Sequence, residues 1–267
     1  MNFLLALMVK KPIFMIISKN SVIYFKLITL KIYYLMKNKT ILAATVASFI
    51  LASSSNAGLL ISGVFDGPLS GGTPKGVELF ATADIADLSS YAIGSANNGG
   101  GSDGAEFVLS GSASAGDYIY IVSPFQSGGA NFTTFFGESA TFENSSMSIN
   151  GDDAIELFHY EVTGLGEIIE TVVDTFGDIN VDGNGEDWEY MDGWAYRNAI
   201  TAGGAFTSSD WSFSGANAWD GASDNASSGA VMPLGTFTAA PIPEPSTYAL
   251  LVGLIGLSYT LNRRCRA

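Results

Sequence analysis

Between Gly58 and Ile242 the chain has no cysteine and only two basic residues, Lys75 and Arg197. Cysteine occurs once in the whole chain, at Cys265, and histidine once, at His159. Without thiols the central region cannot build a disulfide framework, so its stability has to come from core packing and from any bound metal. The sole histidine has no cysteine nucleophile near it and sits on a candidate strand, where a lone histidine is more often structural. The shortage of bases is sharper than the overall charge of −14 suggests. Of twelve Lys and Arg residues, seven precede residue 40 and three follow residue 262. All 26 acidic residues lie between Asp66 and Glu244; setting Glu244 aside, 25 acids against two bases give the central region a formal charge of −23. Such a surface repels phosphate backbones, which excludes nucleic-acid binding by simple charge. Lys75 and Arg197 alone leave a metal-free phosphoesterase little with which to stabilise its transition state. Gly99-Gly100-Gly101 is followed by Ser102 and Asp103 and lacks the lysine and helix of a phosphate loop. Carboxylate pairs such as Asp152-Asp153 suit glycosidase chemistry in principle, but among so many acids they arise by chance. Two readings of the acidity stay open: a surface that attracts cations, and simple solubility in a salty medium.

The ends of the chain differ from its middle. Pro243-Glu244-Pro245 is followed by the apolar run Tyr248–Leu261 and by Asn262-Arg263-Arg264-Cys265-Arg266-Ala267. The run falls short of the ~20 residues of a full membrane span. Arg263, Arg264 and Arg266 would hold its end on the cytoplasmic side. This order of motif, short hydrophobic helix and basic end resembles the PEP-CTERM sorting tail of Gram-negative bacteria, and the resemblance covers residues 243–267. It implies recognition and removal by the membrane protease exosortase, with transient residence in the inner membrane. An ordinary C-terminal anchor is the alternative. At the other end, Met36-Lys37-Asn38-Lys39, the apolar stretch Ile41–Leu51 and the small residues Ser55-Asn56-Ala57 read as a secretory signal helix cut by signal peptidase after Ala57. Residues 1–35 contain no glycine and are rich in Ile, Phe, Lys, Tyr and Leu, unlike the rest. We read them as an upstream extension of the gene before a start at Met36; a long basic-apolar leader is the alternative.

Residues 58–238 then form one domain, joined by a spacer at 239–242 to the tail. Short segments rich in β-branched and aromatic residues alternate with Gly, Asn, Asp and Ser clusters. Expected strands are Leu59–Val64, Gly76–Ala81, Ser90–Ser95, Ala105–Ser110, Asp117–Ser123, Ala154–Tyr160 and Glu167–Phe176, with weaker ones at Gly193–Arg197 and Trp211–Ser214. No amphipathic helix is expected; Ala83–Leu88 has room for one turn. The spacing suggests an all-β sandwich. Lys75-Gly76-Val77-Glu78-Leu79-Phe80, Asp87-Leu88-Ser89-Ser90-Tyr91, Gly116-Asp117-Tyr118-Ile119, Asn150-Gly151-Asp152-Asp153-Ala154-Ile155-Glu156-Leu157, Val172-Val173-Asp174 and Trp188-Glu189-Tyr190 follow one another in an order that resembles the lamin-tail domain of secreted bacterial proteins. The resemblance runs from about Leu59 to Gly221. It implies an immunoglobulin-like β-sandwich and no reaction of its own. The chain departs from the pattern after Asp174, where a longer acidic loop is inserted.

That loop, Asp178 to Glu189, matches D-x-[DN]-x-[DN]-G-x5-E at every fixed position. Calcium takes six to eight hard oxygens. Asp178, Asn180 and Asp182 alternate and can turn inward. Gly183 would permit the sharp bend, Asn184 would give its carbonyl, Glu186 a direct or water-borne contact and Glu189 both oxygens. The preceding segment reads as strand, Gly185 replaces the usual apolar residue, and Asp-Gly and Asn-Gly pairs also make metal-free turns; calcium is therefore an expectation beside a metal-free alternative. Trp188, Trp194, Trp211 and Trp219, with Tyr190 and Tyr196, fall in one short stretch. Exposed, they would stack on sugar rings; the spacing of Trp188 with Tyr190 and of Trp194 with Tyr196 favours strand faces packed in a core.

These readings describe an exported, non-catalytic protein of the cell surface or extracellular matrix of a Gram-negative bacterium, structural or adhesive. Its expected partners are exosortase, signal peptidase and extracellular polysaccharide, the last bridged by calcium. A carbohydrate-binding module and a metal-dependent hydrolase are the alternatives.

Overall fold

The computed structural model describes residues 58–164, 166–198 and 203–239. The signal, its cleavage point at Ala57 and the sorting tail, with Pro243, Glu244, Pro245, Arg263, Arg264 and Arg266, lie outside the described residues, as do both flanking hydrophobic helices. Ten strands run in chain order: β1 (Leu59–Leu69), β2 (Thr73–Ala81), β3 (Tyr91–Ala96), β4 (Phe107–Val108), β5 (Tyr118–Val122), β6 (Phe142–Glu143), β7 (Ala154–Val162), β8 (Ile168–Phe176), β9 (Gly193–Arg197) and β10 (Trp211–Phe213). One α-helix, α1 (Gly128–Phe136), lies between β5 and β6. The strands make two sheets, ordered β10-β9-β1-β2-β5-β6 and β4-β3-β7-β8. Neighbours are antiparallel except β5 and β6, which pair in parallel.

A first core fills the space between the sheets. Ile61 and Val64 of β1, Val77 and Leu79 of β2 and Ile119 and Ile121 of β5 meet Ile93 of β3, Ile155 and Leu157 of β7 and Phe176 of β8. A second core lies on the other face of the larger sheet. There Leu60 and Phe65 of β1, Phe80 of β2, Tyr120 and Val122 of β5 and Trp194 and Tyr196 of β9 pack against Phe132 and Phe135 of α1 and against Trp219, Met232 and Phe237. Central strands of that sheet are thus buried on both faces. This is why Tyr118–Val122 reads as a continuous apolar run and not as an alternation.

Every expected strand is present, β4 shortened to two residues. Three features depart from expectation. The domain is mostly β, consistent with the expected all-β sandwich, but α1, which was not expected, covers the outer face of the larger sheet as part of a third layer. Its sequence, GGANFTTFF, is poor in helix formers. The helix persists because Phe132 and Phe135, three residues apart, both sink into the second core. Gly128 is needed where α1 starts, for a Cβ there would stand 1.9 Å from the Ser123 carbonyl oxygen. At Ala83–Leu88 there is no helical turn before residue 88; Ile85 instead bridges Ala113, and a short 3-10 turn occupies Leu88–Ser90. The two-residue β6 was not foreseen.

Both bases of the domain are buried inside it. Arg197 of β9 reaches across the first core to Asp174 of β8, with Nη2 2.6 Å from Oδ2. Ile61 sits opposite Leu79 of β2 and beyond the last pairing of β1 with β9, which ends at Gly63, so its backbone is available to the ion pair. Its N–H donates to Asp174 Oδ2 at 2.8 Å and its carbonyl accepts from Arg197 Nε at 2.7 Å. The guanidinium also lies 4.6 Å from the centre of the Trp211 ring. Lys75 of β2 pairs with Asp66 directly opposite on β1, 2.5 Å apart.

Candidate functional site

The acidic loop spans the turn from β8 to β9, so no helix flanks it on either side. Three of its carboxylates hold the loop's own backbone. Asp178 Oδ1 accepts from the Asn180 N–H at 2.9 Å, Asp182 Oδ1 from the Asn184 N–H at 3.0 Å and Glu189 Oε2 from the Gly185 N–H at 2.9 Å. Such short-range turns are what Asp does in loops with or without a metal. The second oxygen of each carboxylate has no hydrogen bond among the described residues. Asp178, Asn180, Asp182, Asn184 and Glu186 are exposed and Glu189 is half-buried.

Two other segments clasp the loop. The Gly101 N–H donates to the Ile179 carbonyl at 2.8 Å, and the Gly183 N–H donates to the Asp152 carbonyl at 3.0 Å. The Tyr190 N–H donates to the Gly151 carbonyl at 2.7 Å, and its hydroxyl donates to the Asp153 carbonyl at 3.0 Å. Asp153 is buried and accepts from the backbone N–H groups of Asn98 and Asn150, both at 2.9 Å. The glycine-rich stretch at 99–101 and the Asp152-Asp153 pair, which the sequence offered as separate weak signals, are therefore neighbours of the acidic loop.

Asp152, read from the sequence only as half of a chance carboxylate pair, is the residue missing from the expected ligand set. Its Oδ1 is buried and has no hydrogen-bond partner. Burial raises its carboxyl above the usual range, and the charges of Asp153, Asp182 and Glu189 push it further the same way. An unpaired buried carboxylate oxygen is costly, and this one lies in the field of two loop carboxylates. Tandem Asp in a turn before a strand was the available signal.

The role assigned to Gly183 is corrected. Gly183 is not in the left-handed region; Gly185, at φ 81°, is the left-handed residue of the loop. Gly183 is needed for close approach instead: a Cβ there would meet the Trp188 ring at 2.6 Å and the Asp152 carbonyl oxygen at 2.7 Å. Among the described residues no three His, Cys, Asp or Glu side chains already converge as a metal cluster. The donors nevertheless suit calcium in kind, being carboxylate and amide oxygens in a loop with one orphaned oxygen beside it.

The four tryptophans are core residues. Trp188 and Trp211 belong to the first core, Trp194 and Trp219 to the second, and none exceeds 9% exposure. Trp194 and Tyr196 share a strand face as expected, whereas Trp188 and Tyr190 sit in the loop before β9. Both Trp194 and Trp219 donate their indole N–H to the Ala230 carbonyl, at 2.8 and 2.7 Å. His159 is on β7 with its ring 4.8 Å from that of Tyr91. No family model, curated protein or solved structure matches the chain.

Proposed function

We propose that this is an exported, non-catalytic protein of the cell surface or extracellular matrix, carrying an immunoglobulin-like, lamin-tail-like β-sandwich to its destination by an exosortase-read tail. The observation that carries the reading is the fate of the bases. Lys75 and Arg197 are both spent in buried ion pairs, so the domain presents carboxylates to its surroundings with no exposed lysine or arginine among the described residues to offset them. A polyanion of that kind binds by way of cations, and its partners are acidic polymers bridged through them. Calcium is the cation we assign, held by Asp178, Asn180, Asp182, Asn184, Glu186 and Glu189, with Asp152 closing the site from beneath. Sugar stacking through tryptophan is disfavoured because all four indoles are buried.

Sorting is tested by cell fractionation in a host with and without an exosortase. The wild-type chain should leave the membrane fraction only when the protease is present, and Glu244→Ala should stay behind. Release of Glu244→Ala at the wild-type rate would remove the sorting assignment.

A further inference from the structure

Lys75 touches two groups with which an amine can react. Its Nζ lies 2.5 Å from Asp66 Oδ1 and 3.4 Å from Asn150 Oδ1. Asp66 and Lys75 are a directly opposed cross-strand pair and continue the inner-face rows of Val64 and Val77. They are 3% and 7% exposed. Asp66 Oδ2 accepts from the Asp192 N–H at 3.4 Å. Asn150 follows the fully buried Ile149, and its own N–H is fixed on Asp153. A primary amine, a carboxylate and a carboxamide are thus held together at one end of the first core, in a domain that has no cysteine with which to cross-link itself.

We propose that Lys75 and Asn150 form an intramolecular isopeptide bond, an amide between Lys75 Nζ and Asn150 Cγ that ties β2 to the segment before β7. The Lys75 ammonium first passes a proton to Asp66, which frees the Nζ lone pair. Nζ attacks Asn150 Cγ, forming the C–N bond and placing the carbonyl electrons on Oδ1. Asp66 then gives its proton to Nδ2 and takes one from Nζ. The carbonyl re-forms, the Cγ–Nδ2 bond breaks and ammonia leaves, carrying off the surplus proton as ammonium. One amide replaces another, nothing is oxidised or reduced, and no co-reactant is needed. Burial pushes the Asp66 carboxyl up to about 6 against the opposing pull of Lys75, which suits a group that must hold a proton and return it. Asn150 is exposed, so the ammonia has a path to solvent.

The scarcity of bases makes the test simple. Between residues 58 and 242 trypsin has only Lys75 and Arg197 to cut after. In protein purified from cells expressing the full chain and then denatured, trypsin should fail to cut after Lys75. A second protease should release a branched peptide joining Lys75 to Asn150, one ammonia lighter than the sum of its parts. Asn150→Ala should restore cleavage after Lys75 in a domain of unchanged circular dichroism. Lys75→Arg, which keeps a cation for Asp66 but lacks the attacking amine, should carry no branch. Asp66→Asn, which cannot shuttle the proton, should leave the ammonia unreleased. Full cleavage after Lys75 with unaltered peptide masses in the wild-type protein would overturn the proposal. So would a branch to Asp66 formed with loss of water.

Discussion

Removing Asp174 should come close to unfolding the domain. Asp174 is fully buried and its two oxygens accept from the Ile61 N–H, the Gly204 N–H and Arg197. Asp174→Ala leaves a guanidinium whose side chain is 4% exposed without its anion. Breaking a buried pair from one side costs ~3–5 kcal/mol. The two stranded N–H groups add a desolvation penalty of about 1–3 kcal/mol each where water cannot reach them. Part of this overlaps, so a loss of ~4–6 kcal/mol is expected, against the ~5–15 kcal/mol of a typical domain. Urea unfolding followed by tryptophan fluorescence reads it directly, because all four indoles are buried in the folded state. With a slope of about 2 kcal/mol per molar urea, the midpoint should fall by ~2–3 M. The paired change Asp174→Leu with Arg197→Met removes both charges and should cost less than Asp174→Ala alone. A loss below about 1 kcal/mol for Asp174→Ala would refute the claim that this pair pins the two sheets together.

Three further outcomes are expected. Burial raises the carboxyls of Asp66, to about 6, and of Glu78; raised acids bind protons more tightly in the folded state, so these two groups should make stability increase as pH falls through about 6 and level off near the unfolded carboxylate range of ~4. A melting temperature that drops steadily between pH 7 and pH 5 would contradict that sign. Calcium at a hundred times its dissociation constant should stabilise the domain by ~2.7 kcal/mol, or roughly 5–10 °C in melting temperature, with chelator reversing the gain and Asp152→Asn reducing it; equal melting curves in calcium and chelator would remove the metal site. Gly183→Ala should cost about 1–3 kcal/mol through contact with Trp188 and the Asp152 carbonyl, and Gly185→Ala about 1 kcal/mol through its positive φ alone. Thermal melts of the two variants separate these causes, because only the Gly183 change should also disturb the near-ultraviolet signal of Trp188.

The strands were legible and the third layer was not, for a physical reason. Strand segments such as Ala154–Val162 carry their signal locally, in β-branched and aromatic residues between turn formers. The helix Gly128–Phe136 carries almost none, because its stability lies in Phe132 and Phe135 entering a core built by Leu60, Phe65 and Trp219 from distant parts of the chain. The candidate site divides in the same way. The Asp178–Glu189 spacing can be read along the chain, whereas Asp152, in the turn just before β7, joins it only through the fold. Charge shows the limit most clearly. Counting identifies Lys75 and Arg197 as solitary bases among acids but does not say where in the fold they lie. Their burial gives each a specific partner, and the two partners differ in kind. Arg197 faces an Asp174 whose oxygens are engaged by backbone N–H groups and the guanidinium, an arrangement that joins strands of the two sheets. Lys75 faces Asp66 and, beyond it, an exposed carboxamide that no backbone group among the described residues holds. A planar guanidinium that stays charged suits the first position, and an amine that can lose its proton suits the second. Exchanging the two bases should therefore preserve neither the sheet contact nor the chemistry at Asn150.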